Sequence, residues 1–256
     1  MRRTWLLAGC LALAAAHADE TVVDARRSGF EFMTPQTQAL QRDDTLNPGM
    51  LWVSEGADGW NKSVGADARS CANCHGDAAL SMRGVAARYP AFDTAEQRVV
   101  DLGARIQRCR VRHQRGSALA AESSELLSLQ SYVARQSRGM PIAPDPDPRL
   151  AAARDRGRAL YVRRIGQLDL SCAECHDDRP GQRLGGSVIP QAHPTGYPIY
   201  RLEWQGMGSL QRRLRGCMSG VRAEPYAYGA QELVELELYL TTRAAGLRME
   251  APAVRP

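Results

Sequence analysis

Two short motifs constrain the fold of this chain more than any other feature. Residues 71–75 read CANCH and residues 172–176 read CAECH, so the pattern Cys-x-x-Cys-His occurs twice in 256 residues. In this pattern two thiols form thioethers with the vinyl groups of a c-type haem, and the adjacent histidine ligates the iron. The sequence therefore predicts two covalently attached c-type haems, held by Cys71, Cys74, Cys172 and Cys175, with iron ligated by His75 and His176.

Other uses of these cysteines fit the spacing less well. A redox-active or zinc-binding Cys-x-x-Cys pair is one alternative, but the sequence lacks the matching His-x-x-His or additional Cys-x-x-Cys half-site. Three disulfides would be the default for six cysteines in an exported chain. Two haem motifs account for four of the six, which argues against that default.

The sequence before each motif is also repeated. Trp60 and Tyr161 each lie 11 residues before the first cysteine of their motif, and a glycine, Gly56 or Gly157, lies four residues before each aromatic. We expect each stretch to be an N-terminal helix that packs its aromatic ring near a haem.

A second repeated element follows each motif. Residues 125–133 (ELLSLQSYV) match residues 232–240 (ELVELELYL), and their apolar residues recur at intervals of three and four, as in amphipathic helices. Each half therefore reads as a helix, a haem motif, a long irregular segment and a closing helix, the layout of a small class I cytochrome c. The predicted fold class is mainly α: two tandem class I cytochrome c-like domains with long irregular segments and an N-terminal extension.

The domain boundaries follow from composition. The segment 139–149, GMPIAPDPDPR, contains four prolines and no apolar periodicity, so it is the expected linker. We predict a signal peptide at 1–18, an N-terminal cytochrome c-like domain with its extension at 19–145, and a C-terminal cytochrome c-like domain at 146–256. Within the first of these domains, we expect the extension at 19–48 to lie over the haem-binding part.

The N-terminus has the features of a secretory signal. Two arginines precede an apolar run, and Ala16-His17-Ala18 places small residues at a cleavage site after Ala18. The run is too short, and too soon followed by charge, for a permanent membrane span. An alternative is a lipoprotein box at LAGC (7–10), with Cys10 as the acylated residue.

The second axial ligand of each haem has to come from elsewhere in the sequence. Ordinary cytochromes of this layout use a methionine shortly before the closing helix. Here that place holds Cys109 in the first half and Cys217 in the second, and an arginine, Arg105 or Arg213, lies four residues before each cysteine. We predict His/Cys ligation of both haems, and low reduction potentials, because a thiolate donates electron density to ferric iron.

Several residues compete for this role. His113 is a possible ligand of the first haem, and Met207, Met218 or His193 of the second. A disulfide between Cys109 and Cys217 is a further alternative, since exported thiols tend to pair.

The net charge and the distribution of basic residues limit the classes of partner that the chain is expected to bind. The formal net charge is +5, and only Lys62 among the 33 basic residues is a lysine. No long basic block points to nucleic acid, and aromatic residues are sparse. Basic residues concentrate between 201 and 222, which favours a small anion or an acidic partner surface.

Several segments resemble the SoxA family of dihaem c-type cytochromes from the periplasmic sulfur-oxidation system. The resemblance covers most of the chain after the signal peptide. Its strongest segments are MTPQTQALQRDDTLNPGMLWVSEG (33–56), SCANCHG (70–76), GYPIYRLEWQGMGSLQRRLRGCMSGVRAEPYAYG (196–229) and ELVELELYL (232–240). CANCH together with Cys109 is typical of the dihaem branch, since some members lack the first haem.

The resemblance implies an enzyme, an L-cysteine S-thiosulfotransferase. Its members pair with a small monohaem cytochrome, SoxX, as a heterodimer, and conjugate thiosulfate to a cysteine of the SoxYZ carrier protein. The product is a cysteine S-thiosulfonate, and two electrons leave through the haems to a downstream periplasmic cytochrome. The family's pattern assigns catalysis to Cys217, which carries an extra sulfur as a persulfide, and substrate binding to Arg213. The C-terminal domain is thus the catalytic one.

Two other functions remain open at the level of sequence. One is a dihaem electron-transfer cytochrome without transferase activity, in which both thiolates only tune the potential. The other is a thiosulfate dehydrogenase that forms tetrathionate without a carrier protein.

Overall fold

The computed structural model describes residues 24–256. The predicted signal peptide, its cleavage site after Ala18 and the alternative lipidation site Cys10 therefore lie outside the described residues. Across the described range the chain forms ten α-helices: α1 (Pro35–Arg42), α2 (Gly49–Asn61), α3 (Cys71–His75), α4 (Ala78–Ser81), α5 (Leu102–Arg108), α6 (Ser124–Arg135), α7 (Ala151–Val162), α8 (Cys172–His176), α9 (Leu210–Gly220) and α10 (Gln231–Arg243).

The remaining regular structure is short. Single turns of 3₁₀ helix lie at Gly29–Phe32, Ala86–Arg88 and Pro148–Leu150, and a π-helical turn at Cys109–His113 follows α5 directly. Residues 24–256 also contain seven strands: β1 (Ala91–Asp93), β2 (Arg98–Val100), β3 (Arg183–Leu184), β4 (Ser187–Val188), β5 (Ile199–Arg201), β6 (Gly206–Gly208) and β7 (Ala253–Arg255). The mainly α fold with long irregular segments is confirmed.

The strands form small local sheets. β1 pairs with β2 and β3 pairs with β4, both antiparallel. The central strand β5 pairs antiparallel with β6 and parallel with β7, so that Tyr200 lies opposite Met207 on one side and Val254 on the other. The last strand of the chain therefore returns to the segment that precedes α9.

The predicted helix pair of the first half is present, and a glycine sets its close approach. α2 crosses α6 at Gly56, where a Cβ atom would lie 2.1 Å from the backbone oxygen of Ser128. Only glycine permits this contact between the two helices. Trp60, one turn further along α2, is buried and packs on Tyr132 of α6 at a ring-centroid distance of 5.9 Å.

The second half repeats this crossing at the equivalent residues. α7 crosses α10 at Gly157, where a Cβ atom would lie 2.0 Å from the backbone oxygen of Glu235. Tyr161 is buried and packs on Tyr239 at 5.3 Å. The repeat inferred from the spacing of glycines and aromatics is thus a repeat of helix packing.

The proline-rich segment 139–149 connects the two halves, but it is packed rather than extended into solvent. The Gly139 amide donates to Met249 O at 2.8 Å, and the Ile142 amide donates to Leu247 O at 2.8 Å. The Ile142 side chain is buried in an apolar cluster with Ala244. The composition of this segment predicted irregular backbone. It did not indicate that the segment would pack against residues near the C-terminal end of the chain.

The N-terminal extension contacts both halves, whereas we expected it to lie over the first. Arg26 donates to the backbone oxygens of Arg243 and Ala245, both at 2.9 Å. Asn47 Nδ2 donates to Pro252 O at 3.0 Å, while Asp44 pairs with Arg135 of the first half at 2.9 Å. The carbonyl groups at the end of α10 and before β7 provide acceptors that a sequence pattern does not reveal.

Polar groups join the two halves around a cavity of about 500 Å³. Gln211 Nε2 on α9 donates to Asp101 Oδ2 at 2.8 Å, and Asp101 is the N-cap residue of α5. The Ser209 amide, at the start of α9, donates to Glu122 Oε2 at 3.3 Å. Glu237 of α10 is buried beside this network. No helix among residues 24–256 is long and apolar enough to cross a membrane.

Candidate haem sites

Each Cys-x-x-Cys-His motif forms one short helix with the same N-terminal cap. Ser70 Oγ accepts from the Asn73 amide at 3.1 Å, and Asn73 Oδ1 accepts from the Ser70 amide at 2.8 Å. Ser171 and Glu174 make the same reciprocal pair in the second motif, at 3.2 and 2.7 Å. This capping box satisfies backbone N–H groups that a five-residue helix would otherwise leave without partners.

The predicted aromatic residues hold the end of each motif. Trp60 Nε1 donates to Gly76 O at 3.0 Å, and the Trp60 ring lies 5.7 Å from the His75 ring. In the second half the Tyr161 hydroxyl donates to Asp177 Oδ1 at 2.8 Å. Gly76 and Asp177 each directly follow the motif histidine, so each aromatic residue donates a hydrogen bond to the C-terminal end of its motif helix.

The second motif presents its histidine in the form that metal ligation requires. His176 Nδ1 lies 2.6 Å from Pro190 O. A carbonyl oxygen can only accept, so Nδ1 carries the proton and Nε2 retains its lone pair. A hydrogen bond of this kind orients the ring of a metal-ligating histidine.

Cys217 lies beside this histidine. Its thiol is within hydrogen-bonding reach of the His176 imidazole. Burial by itself would raise the pKa of Cys217, but the His176 hydrogen bond and the positive charges of Arg213 and Arg201 bring that pKa below its usual value. The thiolate form, which is the form that ligates metals and acts as a nucleophile, is therefore favoured.

A cavity of about 310 Å³ lies between these residues. Its apolar wall includes Ile199, Leu214 and Leu240. Two motif thiols, an imidazole with a free Nε2, an opposing thiolate and an apolar wall are the donor set and surroundings that a c-type haem needs. The residues present fit this group.

Cys109 lies near the two cysteines of the first motif. The charge of Cys109 raises the pKa of Cys71, and the charge of Cys74 raises the pKa of Cys109, so the three thiols lie close together. Burial is the larger cause of the raised pKa of Cys109, and Arg105 opposes it. Cys109 begins the π-helical turn after α5, whereas Cys217 lies within α9.

The arginines that precede the two cysteines differ in their partners. Arg105 forms an ion pair with Asp93 at 3.1 Å, and its Nε donates to the Tyr89 hydroxyl at 3.1 Å. Arg213 has no ion-pair partner within residues 24–256; its charged neighbours are Cys217 and the more distant Glu203. Its guanidinium lines the same cavity as Cys217.

The competing ligands lie in different environments. Met207 is buried in a cluster with Leu127, Tyr200 and Val254, and Met218 packs in the core formed by α7 and α10. His113 is exposed at the end of the π-helical turn. His193 lines the second cavity and its Nδ1 donates to Arg27 O at 2.7 Å. All six described cysteines are free thiols, so Cys109 and Cys217 form no disulfide.

Sequence reasoning did not single out two residues that matter to these sites. Asp93, almost fully buried on β1, neutralises Arg105, and Arg201 on β5 lines the cavity of Cys217. Neither lies at a repeated spacing from a motif. The only sequence signal was the general concentration of basic residues from 201 onward.

Two tandem domains, each with a covalent haem motif beneath a buried aromatic residue, define a c-type cytochrome. The family model for the SoxA/TsdA cytochrome c domain matches residues 55–142 and 156–249. The chain belongs to this family.

Relatives within the family share much of their length with this chain. It is 39% identical over 233 residues to the L-cysteine S-thiosulfotransferase subunit SoxA of Pseudaminobacter salicylatoxidans, covering 91% of this chain and 82% of the relative. The protein of the same name from Rhodovulum sulfidophilum is 35% identical, covering 91% of this chain and 81% of the relative. The structure resembles a chain in the crystal structure of SoxXA from P. pantotrophus, with a TM-score of 0.87, 33% identity and coverage of 90% of this chain and 87% of that chain.

Proposed function

We propose that this chain is the SoxA-type subunit of an L-cysteine S-thiosulfotransferase, and that it conjugates thiosulfate to a cysteine of a SoxYZ carrier protein. Relatives with up to 39% identity bear the name of this enzyme. The observation that carries the proposal is the pairing of Arg213 with Cys217, one helical turn apart on α9 and facing one cavity. An arginine without a carboxylate partner beside a low-pKa thiol is suited to bring an anionic sulfur compound to a sulfur centre.

Two covalent haems are part of the proposal. Cys71, Cys74 and His75 would hold the first, and Cys172, Cys175 and His176 the second, with Cys109 and Cys217 as the opposing ligands. The haem in each site supplies a one-electron acceptor when bound. In the second site the chain's contribution is to orient the His176 imidazole, exclude water with the apolar wall, and lower the pKa of the Cys217 thiol.

The coupling reaction balances as an oxidation. The outer sulfur of thiosulfate and the carrier thiol sulfur form one S–S bond, one proton leaves the carrier thiol, and two electrons are released. Arg213 would hold the sulfonate oxygens through charge-assisted hydrogen bonds and offset their repulsion from the thiolate. Cys217 would take part through an additional sulfur, held as a cysteine persulfide, which can exchange with a disulfide or thiol.

The partner and compartment follow from the same relationship. The similar crystal structure is of SoxXA, which supports a heterodimer with a SoxX-like monohaem cytochrome. The signal-peptide pattern of residues 1–18 supports export to the periplasm. A downstream periplasmic cytochrome would then receive the electrons.

A carrier-dependence assay tests this function. The exported complex would be incubated with thiosulfate and an oxidised cytochrome acceptor, with and without a carrier that ends in an accessible cysteine. We expect mass spectrometry to show a thiosulfonate adduct on the carrier cysteine, and acceptor reduction only with the carrier present. A carrier whose cysteine is changed to serine is the matched control.

Other outcomes support other functions. Acceptor reduction and tetrathionate without the carrier would indicate a thiosulfate dehydrogenase. Electron exchange with the acceptor but no thiosulfate oxidation in either case would indicate an electron-transfer cytochrome. Intact mass of the isolated chain gives the number of haems and reveals whether one extra sulfur is present.

A further inference from the structure

The cavity that contains Cys217 has a strongly positive lining. Among the described residues, its lining includes the arginines Arg183, Arg201, Arg213 and Arg255, and no Asp or Glu side chain. Arg255 is neutralised nearby, since it pairs with Glu250. Arg183 lies on the exposed hairpin of β3 and β4. Of the other two, Arg213 has no ion-pair partner within residues 24–256, and Arg201 pairs only with Glu203, a largely exposed carboxylate; both charges act on Cys217.

Arg201 has an unsatisfied donor. Its side chain is 7% exposed, and its Nε atom has no hydrogen-bond partner within residues 24–256. Its Nη2 pairs with Glu203 at 2.7 Å, but that carboxylate is 63% exposed and leaves the neighbouring Nε unpaired. Buried donors are nearly always satisfied, so an unpaired Nε beside a cavity indicates a bound acceptor.

The positive charges of Arg201 and Arg213 act on each other. Burial is the first cause that lowers the pKa of Arg201, and the positive charge of Arg213 is the second. Two guanidinium groups that line one cavity repel each other, and an anion bound in that cavity offsets the repulsion. Thiosulfate carries two negative charges, which would balance both, and its sulfonate end offers three oxygens to directed N–H donors.

We propose that Arg201 is a second substrate-binding residue, whose Nε donates to the sulfonate group of thiosulfate while Arg213 binds the same group from α9. This inference rests on the proposed function for the identity of the anion. Arg201 lies on β5 and Arg213 on a helix, so the two donors approach from different elements and fix the orientation of the sulfonate. The outer sulfur then points toward Cys217.

Arg212 provides a matched control for Arg201. Both guanidinium groups stack on the Trp204 ring, Arg201 at 5.1 Å and Arg212 at 4.2 Å from the ring centroid. Arg212 does not line the cavity. Arg212→Gln therefore removes a similar charge and the same aromatic contact without removing the proposed donor.

The test measures binding of sulfate, a redox-inert dianion of similar shape, to the haem-loaded complex by isothermal titration calorimetry. We expect Arg201→Gln to raise the dissociation constant for sulfate about 10- to 100-fold, the range for a lost hydrogen bond to a charged group. The KM for thiosulfate should rise by a similar factor. Arg212→Gln should leave the dissociation constant for sulfate and the KM for thiosulfate within about threefold of the wild-type values, because Arg212 lies outside the cavity.

Arg201→Lys is a second variant that separates a loss of binding from a loss of folding. It retains the charge and much of the stem but lacks the directed Nε donor, so we expect sulfate binding several-fold weaker than in the wild type at unchanged haem content. Wild-type sulfate affinity in either Arg201 variant overturns the inference, as does an equal loss in Arg212→Gln. A lowered haem potential with unchanged sulfate affinity also overturns it, because Arg201 would then bind a haem propionate.

This readout is separate from the proposed function. Sulfate binding needs neither the carrier nor electron transfer. If sulfate affinity depends on Arg201 but the wild-type complex forms no carrier adduct, only the proposed reaction is contradicted. If the complex conjugates thiosulfate to the carrier but sulfate affinity does not change in the Arg201 variants, only the role of Arg201 in anion binding is contradicted.

Discussion

The arginine–cysteine pairs of the two halves occupy equivalent positions but differ in how their charges are balanced. Arg105 is tied to the buried carboxylate of Asp93 and to the Tyr89 hydroxyl, and the pKa of Cys109 is raised, chiefly by burial. Arg213 has no carboxylate partner in the described part of the chain, and the pKa of Cys217 is lowered. The same spacing thus places an arginine paired with a buried carboxylate in one half, and an arginine without a carboxylate partner beside a cysteine of lowered pKa in the other.

This difference explains how one fold can serve two tasks. A guanidinium already held by a buried carboxylate has little capacity for an additional anion, whereas an unpaired one in a cavity attracts it. This contrast supports the proposed binding of the substrate at the second site.

Exchanging the two cysteines for methionine should produce the largest contrast. We expect Cys217→Met to reduce conjugation to the background rate with both haems retained, because a thioether can bind iron but cannot hold a persulfide. Cys109→Met should raise the potential of the first haem and keep conjugation. Haem content, potentiometry and the carrier adduct assay measure the three quantities. Sustained conjugation by Cys217→Met would contradict the assignment.

Removing each arginine should show a smaller contrast. Arg213→Ala should lower kcat/KM by about 30- to 1000-fold, equivalent to about 2–4 kcal/mol for a charge-assisted contact to a buried anion. Arg213→Lys should recover part of this, because a point charge cannot reproduce two directed donors. Arg105→Ala should change kcat/KM by less than about threefold, since its charge is engaged by Asp93. Equal losses in both alanine variants would remove the distinction between the pairs.

Substitutions at the two helix crossings test whether the two halves depend equally on a close helix contact. Gly56→Ala and Gly157→Ala each place a Cβ atom about 2 Å from a backbone oxygen, so the helices must separate. We expect a loss of about 1–3 kcal/mol in the free energy of unfolding for each, with weaker haem retention in the altered half. Gly59→Ala on the same helix is the control, because its Cβ would contact only the flexible side chain of Leu129 at 3.3 Å. Denaturant unfolding measures the change, and unequal losses at Gly56 and Gly157 would show that the halves are not equivalent.

The smallest predicted effect concerns the polar junction between the two halves. Burial, followed by the charge of Asp101, raises the pKa of Glu237 well above the usual value of 4.5. The folded chain therefore retains a proton that the unfolded chain releases, and stability falls as pH rises from about 4.5 through the raised pKa.

Glu237→Gln removes this proton uptake. We expect a gain on the order of 1 kcal/mol in the free energy of unfolding at neutral pH, and a flatter pH dependence. Glu235→Gln is the matched control on the same helix: Glu235 is also buried, but it pairs with Arg156 at 2.6 Å, so its replacement should destabilise instead. A wild-type pH profile in Glu237→Gln would show that Glu237 is already ionised in the folded chain.

Much of the fold could be predicted from local patterns. The spacing of Gly56 and Trp60 before the first motif, and of Gly157 and Tyr161 before the second, indicated helices that the structure confirms. The periodicity of 125–133 and 232–240 located the closing helices within a few residues of their observed bounds. These features are local because a helix face, a cap and a covalent motif each depend on residues a few positions apart.

The placement of the connecting segments could not be predicted in this way. The extension was expected on the first domain, and residues 139–149 looked like an independent linker. The structure instead bonds Arg26 to the end of α10 and Ile142 to the residues beyond it. Their partners are backbone groups more than 100 residues away, and backbone carbonyls leave no trace in side-chain patterns.

By itself, the sequence determined the haem-attachment motifs, the duplicated helical frame and the position of a cysteine and an arginine before each closing helix. These depend on covalent chemistry and on helical spacing. Tertiary structure alone decided which arginine is available, because only folding brings Asp93 to Arg105 and leaves Arg213 beside Arg201 and Cys217. Charge balance is a sum over neighbours in space, and those neighbours lie on different strands and helices whose packing a local sequence pattern does not specify.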